Sequence, residues 1–106
     1  MLVAFSVAPS GTGRTDGSVH DAVAAAVRIV RASGLPHRTT AMFTEIEGEW
    51  DEVMDVVKRA TDAVLAYGSR ASLVLKADIR PGFTGELDAK IDRLEEAIAD
   101  EDDAAR

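Results

Sequence analysis

The segment SLVLKADI, residues 72–79, has the clearest strand pattern in the chain. Its side chains alternate between two faces, as successive residues of a β-strand do. One face receives Leu73, Leu75, Ala77 and Ile79, and the other receives Val74, Lys76, Asp78 and Arg80. Pro81-Gly82 then ends the strand. The bulkier face is expected to meet the core.

A helix is predicted directly before this strand, from about Trp50 to Tyr67-Gly68. Its period is 3.6 residues, and its acidic first turn suits the positive end of the helix dipole. The apolar stripe consists of Trp50, Val53, Met54, Val57, Ala60 and Val64.

Three strands and another helix are predicted further upstream. Residues 37–42 and 43–47 form two strands joined by a tight bend, and residues 2–8 form the first strand, with Val3, Phe5 and Val7 toward the core. A helix is predicted between the first strand and residue 37. Ser18 is expected to cap its N-terminus, with Asp21 three residues later as a short version of the capping box. Gly34-Leu35-Pro36 ends this helix.

After the strand at residues 72–79, the pattern of residues 86–99 predicts a final helix with Leu87, Ile91, Leu94 and Ile98 along one side. Residues 100–106 are predicted to be a disordered acidic tail, because like charges repel there. The order β-α-β-β-α-β is that of an α+β ferredoxin-like split βαβ domain. We expect one domain over residues 1–99 with an extra C-terminal helix.

The two helices of this arrangement cover only one face of the predicted four-stranded sheet. The other face, called the open face, consists of Leu2, Ala4, Ser6, Ala8, Glu45, Glu47, Val74, Lys76, Asp78 and Arg80. Such a mixed surface is typical of an oligomer contact or a ligand groove. A chain of 106 residues has a small core, which also favours a homodimer or homotetramer.

Composition excludes several classes of function. The net charge of −7 opposes binding to nucleic acid or anionic membranes. The absence of cysteine rules out disulfides and thiolate metal sites. No apolar run is long enough to span a bilayer, and the first residues lack a signal-peptide pattern, so a cytoplasmic location is expected.

Few residues suggest catalysis. Glu47 and Glu49 flank Gly48 and could act as acid and base, but a helix N-terminus accounts for Glu49. Glu47 is expected instead to accept a hydrogen bond from a ligand amine. The loop 9–13 has a G-x-G pattern without a phosphate-binding lysine, and neither histidine has metal-ligand spacing. No metal, cofactor or catalytic residue is predicted.

Three segments resemble a known family: residues 5–13 (FSVAPSGTG), residues 42–54 (MFTEIEGEWDEVM) and residues 74–80 (VLKADIR). Together they resemble the small thiamine-binding protein family over nearly the whole chain. The resemblance implies a ferredoxin-like fold, dimers and tetramers formed through sheet faces, and binding of thiamine or its hydroxymethylpyrimidine portion without established catalysis. Family members often carry more arginines after the last strand, where this chain has Arg80-Pro81-Gly82-Phe83.

The chemistry of thiamine selects the candidate ligand residues. Its aminopyrimidine needs donors and acceptors, and its cationic thiazolium favours carboxylates or soft apolar surfaces. The predicted polar contacts are Ser6, Thr44, Glu47 and Asp78, and the predicted apolar contact is Met42. The expected function is vitamin buffering, carriage or sensing. Two alternatives stay open: an oligomerisation module with no small-molecule ligand, and a small enzyme using Glu47 or Asp78.

Overall fold

A computed structural model describes residues 1–10 and 19–105. It contains seven elements in the predicted order, which are β1 (Leu2–Pro9), α1 (His20–Ala32), β2 (His37–Thr39), β3 (Thr44–Glu47), α2 (Trp50–Leu65), β4 (Ala71–Asp78) and α3 (Glu86–Ala104). The predicted cap Ser18 and most of the glycine-containing loop lie outside the described residues. Among the described helices, none combines the length and apolarity needed to cross a lipid bilayer.

The four strands form one antiparallel sheet in the order β2-β3-β1-β4, which confirms the ferredoxin-like arrangement. In the register, Val3 lies between Ile46 and Ala77, and Ala4 lies between Glu45 and Lys76. Because neighbouring residues in register share a face, β1 and β4 divide their side chains between the two faces as predicted. The bulky face of β4 reaches the core only in part, since Leu73 is 42 % exposed and Ile79, which lies beyond the end of β4, is 59 % exposed.

The core lies between the sheet and the pair α1 and α2. Val3, Phe5 and Val7 are buried as predicted. They meet small residues of α1 and a valine-rich face of α2, which consist of Ala22, Ala26, Val30, Val53, Val56, Val57, Ala60 and Val64. Trp50 departs from its predicted place in the α2 stripe, since it occupies the first helical position and is exposed. Val56 is buried instead.

The link between β2 and β3 is longer than the tight bend predicted from the sequence. β2 ends at Thr39, and the main-chain N–H of Thr40 donates a hydrogen bond to the carbonyl oxygen of Phe43. The Thr40 hydroxyl also donates to that carbonyl, and accepts from the N–H of Phe43. These side-chain bonds compete with strand pairing, which explains why residues 40–43 form a turn.

Gly48 joins the sheet to α2 in a tightly packed corner. Its main chain exchanges hydrogen bonds with Met1, and an added Cβ would lie 3.2 Å from Val53 and 3.3 Å from Leu35. Glu49 follows as the N-cap of α2 in a capping box with Glu52. The role predicted for Glu49, stabilisation of a helix N-terminus, is therefore correct.

α3 continues to Ala104, five residues beyond the predicted end at Ala99. The prediction of a disordered tail over residues 100–106 was therefore wrong for the described residues up to Ala104. Residues 100–104 include three aspartates of low helix propensity, but they follow an established helix, so adding turns requires no new nucleation.

Candidate functional site

A cavity of about 280 Å³ lies at one end of the sheet, on the side that α1 covers. We call it the α1 pocket. Residues 5–8 of β1 form its floor, residues 39–44 form one wall, and α1 with the preceding Val19 forms the opposite wall. Its volume is slightly below the roughly 300–1,000 Å³ of typical small-ligand sites.

Unequal strand lengths create this pocket. β3 pairs with β1 only as far as Phe5, whereas β4 pairs with β1 as far as Pro9. Residues 6–8 therefore have a strand partner on one edge only within the described part of the chain. An unpaired strand edge offers backbone N–H and C=O groups for hydrogen bonds to a ligand.

The described lining of the α1 pocket has no ionisable side chain. Its polar groups are the hydroxyls of Ser6, Thr39, Thr40 and Thr44, and its other side chains are aliphatic, aromatic or thioether. Thr44 is 8 % exposed, whereas Met42 at the rim is 76 % exposed. A neutral, flat ligand group with hydrogen-bonding edges matches these surroundings.

Two features of α1 make room for the pocket. Its buried row is Ala22, Ala26 and Val30, and the two alanines bring the helix close to the sheet without filling the adjoining space. A second row, Val19, Val23 and Val27, lies beside the buried row and faces the cavity. The helical spacing of both rows is visible in the sequence. Which row is buried and which one lines the cavity depends on where β3 stops.

The opposite end of the sheet is charged and already occupied by α3. The Glu47 carboxylate is 6 % exposed and accepts hydrogen bonds from two main-chain N–H groups of the first turn of α3. Oε2 lies 2.9 Å from the nitrogen of Glu86, and Oε1 lies 3.0 Å from that of Leu87. A helix N-terminus favours such an anion through its free N–H groups and its dipole.

Ion pairs hold the same part of α3 against the sheet. Asp78 of β4 accepts a hydrogen bond from Lys90, and Arg38 of β2 pairs with Asp88. The hydrogen bond from Lys90, its charge, and the charges of nearby basic residues lower the pKa of Asp78 below its usual value. Within α3, a hydrogen bond to Glu86 raises the pKa of Arg93.

The five predicted ligand residues therefore fall into two groups. Ser6, Met42 and Thr44 line the α1 pocket. Glu47 and Asp78 lie at the other end of the sheet, and both contact α3. The pocket also opens on the side of α1 rather than on the open face, which was the expected location. Sequence analysis missed Phe43 and the second row of α1 as lining residues.

Metal binding has little support in the described geometry. Across residues 1–10 and 19–105, no three side chains of the metal-ligating types converge on a common point. The arrangement in the α1 pocket can bind a ligand by shape and hydrogen bonds, and its described side chains offer no acid or base.

Comparison with known proteins places the chain in a family. Residues 3–95 match the family model described as thiamine-binding protein. A UPF0045 protein of Mycobacterium bovis is 51% identical over 96 residues, which cover 90% of this chain and 91% of that one. A UPF0045 protein of Synechocystis is 34% identical over 96 residues, or 90% of this chain and 77% of that one.

Solved structures share the fold. A hypothetical protein of Methanocaldococcus jannascii superimposes with a TM-score of 0.80 at 29% identity, covering 90% of this chain and 95% of that one. A Thermotoga maritima protein, provisionally assigned to thiamine biosynthesis or salvage, gives a TM-score of 0.70 at 27% identity, with coverages of 84% and 94%. Sequence and fold thus agree over nearly the whole length, and the chain belongs to the thiamine-binding protein family.

Proposed function

We propose that this protein binds thiamine, or its hydroxymethylpyrimidine portion, in the α1 pocket and releases it unchanged. The observation that carries the proposal is a cavity whose described lining is uncharged, beside a strand edge at residues 6–8 that is unpaired within the described part of the chain. An aminopyrimidine is flat and neutral near pH 7, and it presents donors and acceptors along its edge. These are the properties that the pocket can complement.

Each lining residue then has a distinct part in binding. Ser6 and Thr44 supply hydroxyls beside the strand edge, and Met42 covers the ring from the rim. We place the aminopyrimidine ring inside the cavity of about 280 Å³, because its described lining has no anionic group to pair with the thiazolium cation. The thiazolium, or any phosphate attached to it, then lies at the mouth or outside, where water stabilises its charge.

This arrangement needs neither Glu47 nor Asp78 as an anchor for the cation, because both carboxylates already have partners in α3. It also argues against the alternative of a small enzyme using either residue. A general base must lie within hydrogen-bond reach of its substrate, and these two groups lie at the end of the sheet opposite the pocket. A cytoplasmic location remains a prediction from the sequence.

The binding protein is proposed to work as a homodimer or homotetramer through the open face. Val74 is more than half exposed there, and Lys76 is exposed beside it. The same surface would suit a pure oligomerisation module. Ligand binding is what separates the two functions.

Isothermal titration calorimetry tests the proposal with thiamine, hydroxymethylpyrimidine and thiamine pyrophosphate. All three are expected to bind, with affinities within about tenfold of one another, since the shared ring makes the enclosed contacts. Thr44→Val removes one hydroxyl at nearly constant shape and is expected to weaken binding by about tenfold. Thr61→Val is the matched control, because the Thr61 hydroxyl bonds within α2, away from the pocket.

Absence of binding by all three compounds would reject the vitamin-binding function and favour the oligomerisation module. Equal loss of affinity in Thr44→Val and Thr61→Val would show that the site lies elsewhere.

A further inference from the structure

Met42 is a large apolar residue that the fold leaves in solvent at the rim of the α1 pocket. Its side chain is 76 % exposed, the highest value among the large apolar side chains of the described residues. A single exposed apolar side chain is ordinary on a protein surface. Here, however, the exposed group is a thioether beside a cavity, so any chemical change of its sulfur also changes the surface that a ligand meets.

The turn at residues 40–43 fixes the position of Met42. The main-chain N–H of Thr40 donates to the carbonyl oxygen of Phe43, and the Thr40 hydroxyl bonds with both main-chain polar groups of Phe43. None of these bonds uses the side chain of Met42. The turn can therefore keep its shape when the thioether is modified.

The sulfur chemistry of this chain is confined to three methionines, because it has no cysteine. Met1 is half-buried and packs against the hydrophobic core, and Met54 is half-buried on α2. An oxidant must reach the sulfur atom before it can react. Met42 is therefore expected to be oxidised first, at a stage when the methionines that contact the body of the protein are still intact.

We propose that Met42 is a reversible oxidation site through which a peroxide controls ligand binding in the α1 pocket, and we call this the oxidation switch. Sδ attacks one peroxide oxygen, so that the S–O bond forms as the O–O bond breaks. The hydroxide that is released takes the proton from the new S–OH group and becomes water. The sulfur loses two electrons, the peroxide gains them, and the product is methionine sulfoxide. The switch rests on the proposed function and describes its regulation.

The sulfoxide covers a ligand ring less well than the thioether does. A thioether is apolar and polarizable, and it makes favourable contacts with aromatic rings. A sulfoxide oxygen is a hydrogen-bond acceptor, and a ring placed over it removes water that it would otherwise bind. The Thr40 hydroxyl of the same turn already donates to Phe43, so it does not replace that water. Oxidation of Met42 is therefore expected to weaken binding by about tenfold.

The first experiment combines peptide mapping with calorimetry. After brief treatment with hydrogen peroxide, mass spectrometry should find sulfoxide at Met42 before Met54. Calorimetry then compares treated and untreated protein with hydroxymethylpyrimidine, which lacks the thiazolium and so avoids attraction between a cation and the sulfoxide dipole. The affinity should fall by about tenfold, and it should return after treatment with methionine sulfoxide reductases of both stereospecificities.

Variants separate Met42 from other oxidisable residues. Met42→Leu keeps an apolar side chain without the sulfur, so peroxide should change the affinity of this variant by less than about twofold. Met54→Leu is the matched control, because Met54 lies on α2 in a groove with Leu73 and is not among the residues that line the α1 pocket. It should show the same tenfold loss as wild type. Met42→Gln introduces a polar group without any oxidant and should also bind about tenfold more weakly than wild type.

Three results would overturn the oxidation switch: oxidation of Met54 ahead of Met42, unchanged affinity after Met42 has become the sulfoxide, or equal peroxide losses in wild type and Met42→Leu. If untreated wild type binds none of the three compounds, the vitamin-binding function fails and the switch fails with it. If it binds them and oxidation of Met42 has no effect, only the switch fails.

Discussion

The two ends of β1 have the same strand pattern but opposite chemistry. At the end near Phe5, β3 stops early, and a cavity without described charged groups remains beside the strand. At the end near Leu2, β3 and β4 both continue, and α3 occupies the space with a buried carboxylate and two ion pairs. The cavity beside Phe5 and the packed helix beside Leu2 thus depend on which neighbouring element extends to each end of β1.

The contrast shows that the function of a polar residue depends on its neighbours in the fold as well as on its type. A glutamate beside a glycine at the end of a strand is a reasonable ligand anchor when judged from sequence. Here the carboxylate of Glu47 is buried and accepts hydrogen bonds from two backbone N–H groups of α3, a structural role that requires no ligand. The threonines at the other end line a cavity, which makes their hydroxyls the better candidates for ligand contact.

The largest expected effect is on stability, at the occupied end. Glu47→Gln removes the charge that faces the N-terminus of α3 and weakens two hydrogen bonds, which should lower the free energy of unfolding by about 2 kcal/mol. Urea unfolding followed by circular dichroism measures it. Glu49→Gln is the control, since its exposed cap should cost about 1 kcal/mol or less.

Thiamine affinity in the folded Glu47→Gln protein should equal that of wild type. A clear loss of affinity with unchanged stability would return the ligand to the charged end of the sheet.

The next effect concerns the pocket end. Phe43→Ala removes an aromatic ring from the wall and should weaken thiamine binding by about tenfold, equivalent to about 1.4 kcal/mol. Tyr67→Ala is the matched control, because Tyr67 has similar exposure, 40% against 38%, at the far end of α2. Calorimetry on both variants gives the comparison. Equal affinities would mean that Phe43 does not touch the ligand.

Ionic strength is expected to have a smaller effect on thiamine binding than these substitutions. Raising ionic strength from about 0.05 M to about 0.5 M should change thiamine affinity by less than about twofold, since the described pocket lining has no charge to screen. A strong salt dependence of thiamine binding would indicate a charged group near the ligand.

The smallest expected effect is on the titration of Asp78. Lys90→Met should raise the pKa of Asp78 toward 3.8, because the hydrogen bond from Lys90 is the main cause that lowers it. A lowered pKa means that this carboxylate favours the folded state above its ordinary pKa, and that the benefit disappears as pH falls through the lowered value. NMR titration measures the shift, and Lys58→Met should leave it unchanged.

Much of the fold could be predicted because its signals are local. Alternation assigned Val3, Phe5 and Val7 to the core, and the order of strands and helices gave the topology. The ends of elements were harder to predict. Thr40 uses its own side chain to stop β2, and α3 extends through an acidic segment that composition alone would leave unstructured.

The candidate site could be predicted only in part, since it depends on where strands stop. Ser6, Met42 and Thr44 follow from ligand chemistry and converge in the structure. The role of Glu47 could not be predicted, because its partners are amides 39 and 40 residues away in the sequence. No periodicity reports which helix N-terminus a distant carboxylate will meet.

The contact between Glu47 and α3 also protects the first turn of this helix, where helices ordinarily fray. First-turn amides have no intrahelical acceptor and ordinarily exchange their hydrogens with solvent first. In α3 the amides of Glu86 and Leu87 are bound to a buried side chain, whereas every described residue beyond Lys90 is exposed. Protection from exchange should therefore decrease along the helix toward Ala104. In an isolated subunit, α3 would melt from its far end while its first turn remained attached to the sheet.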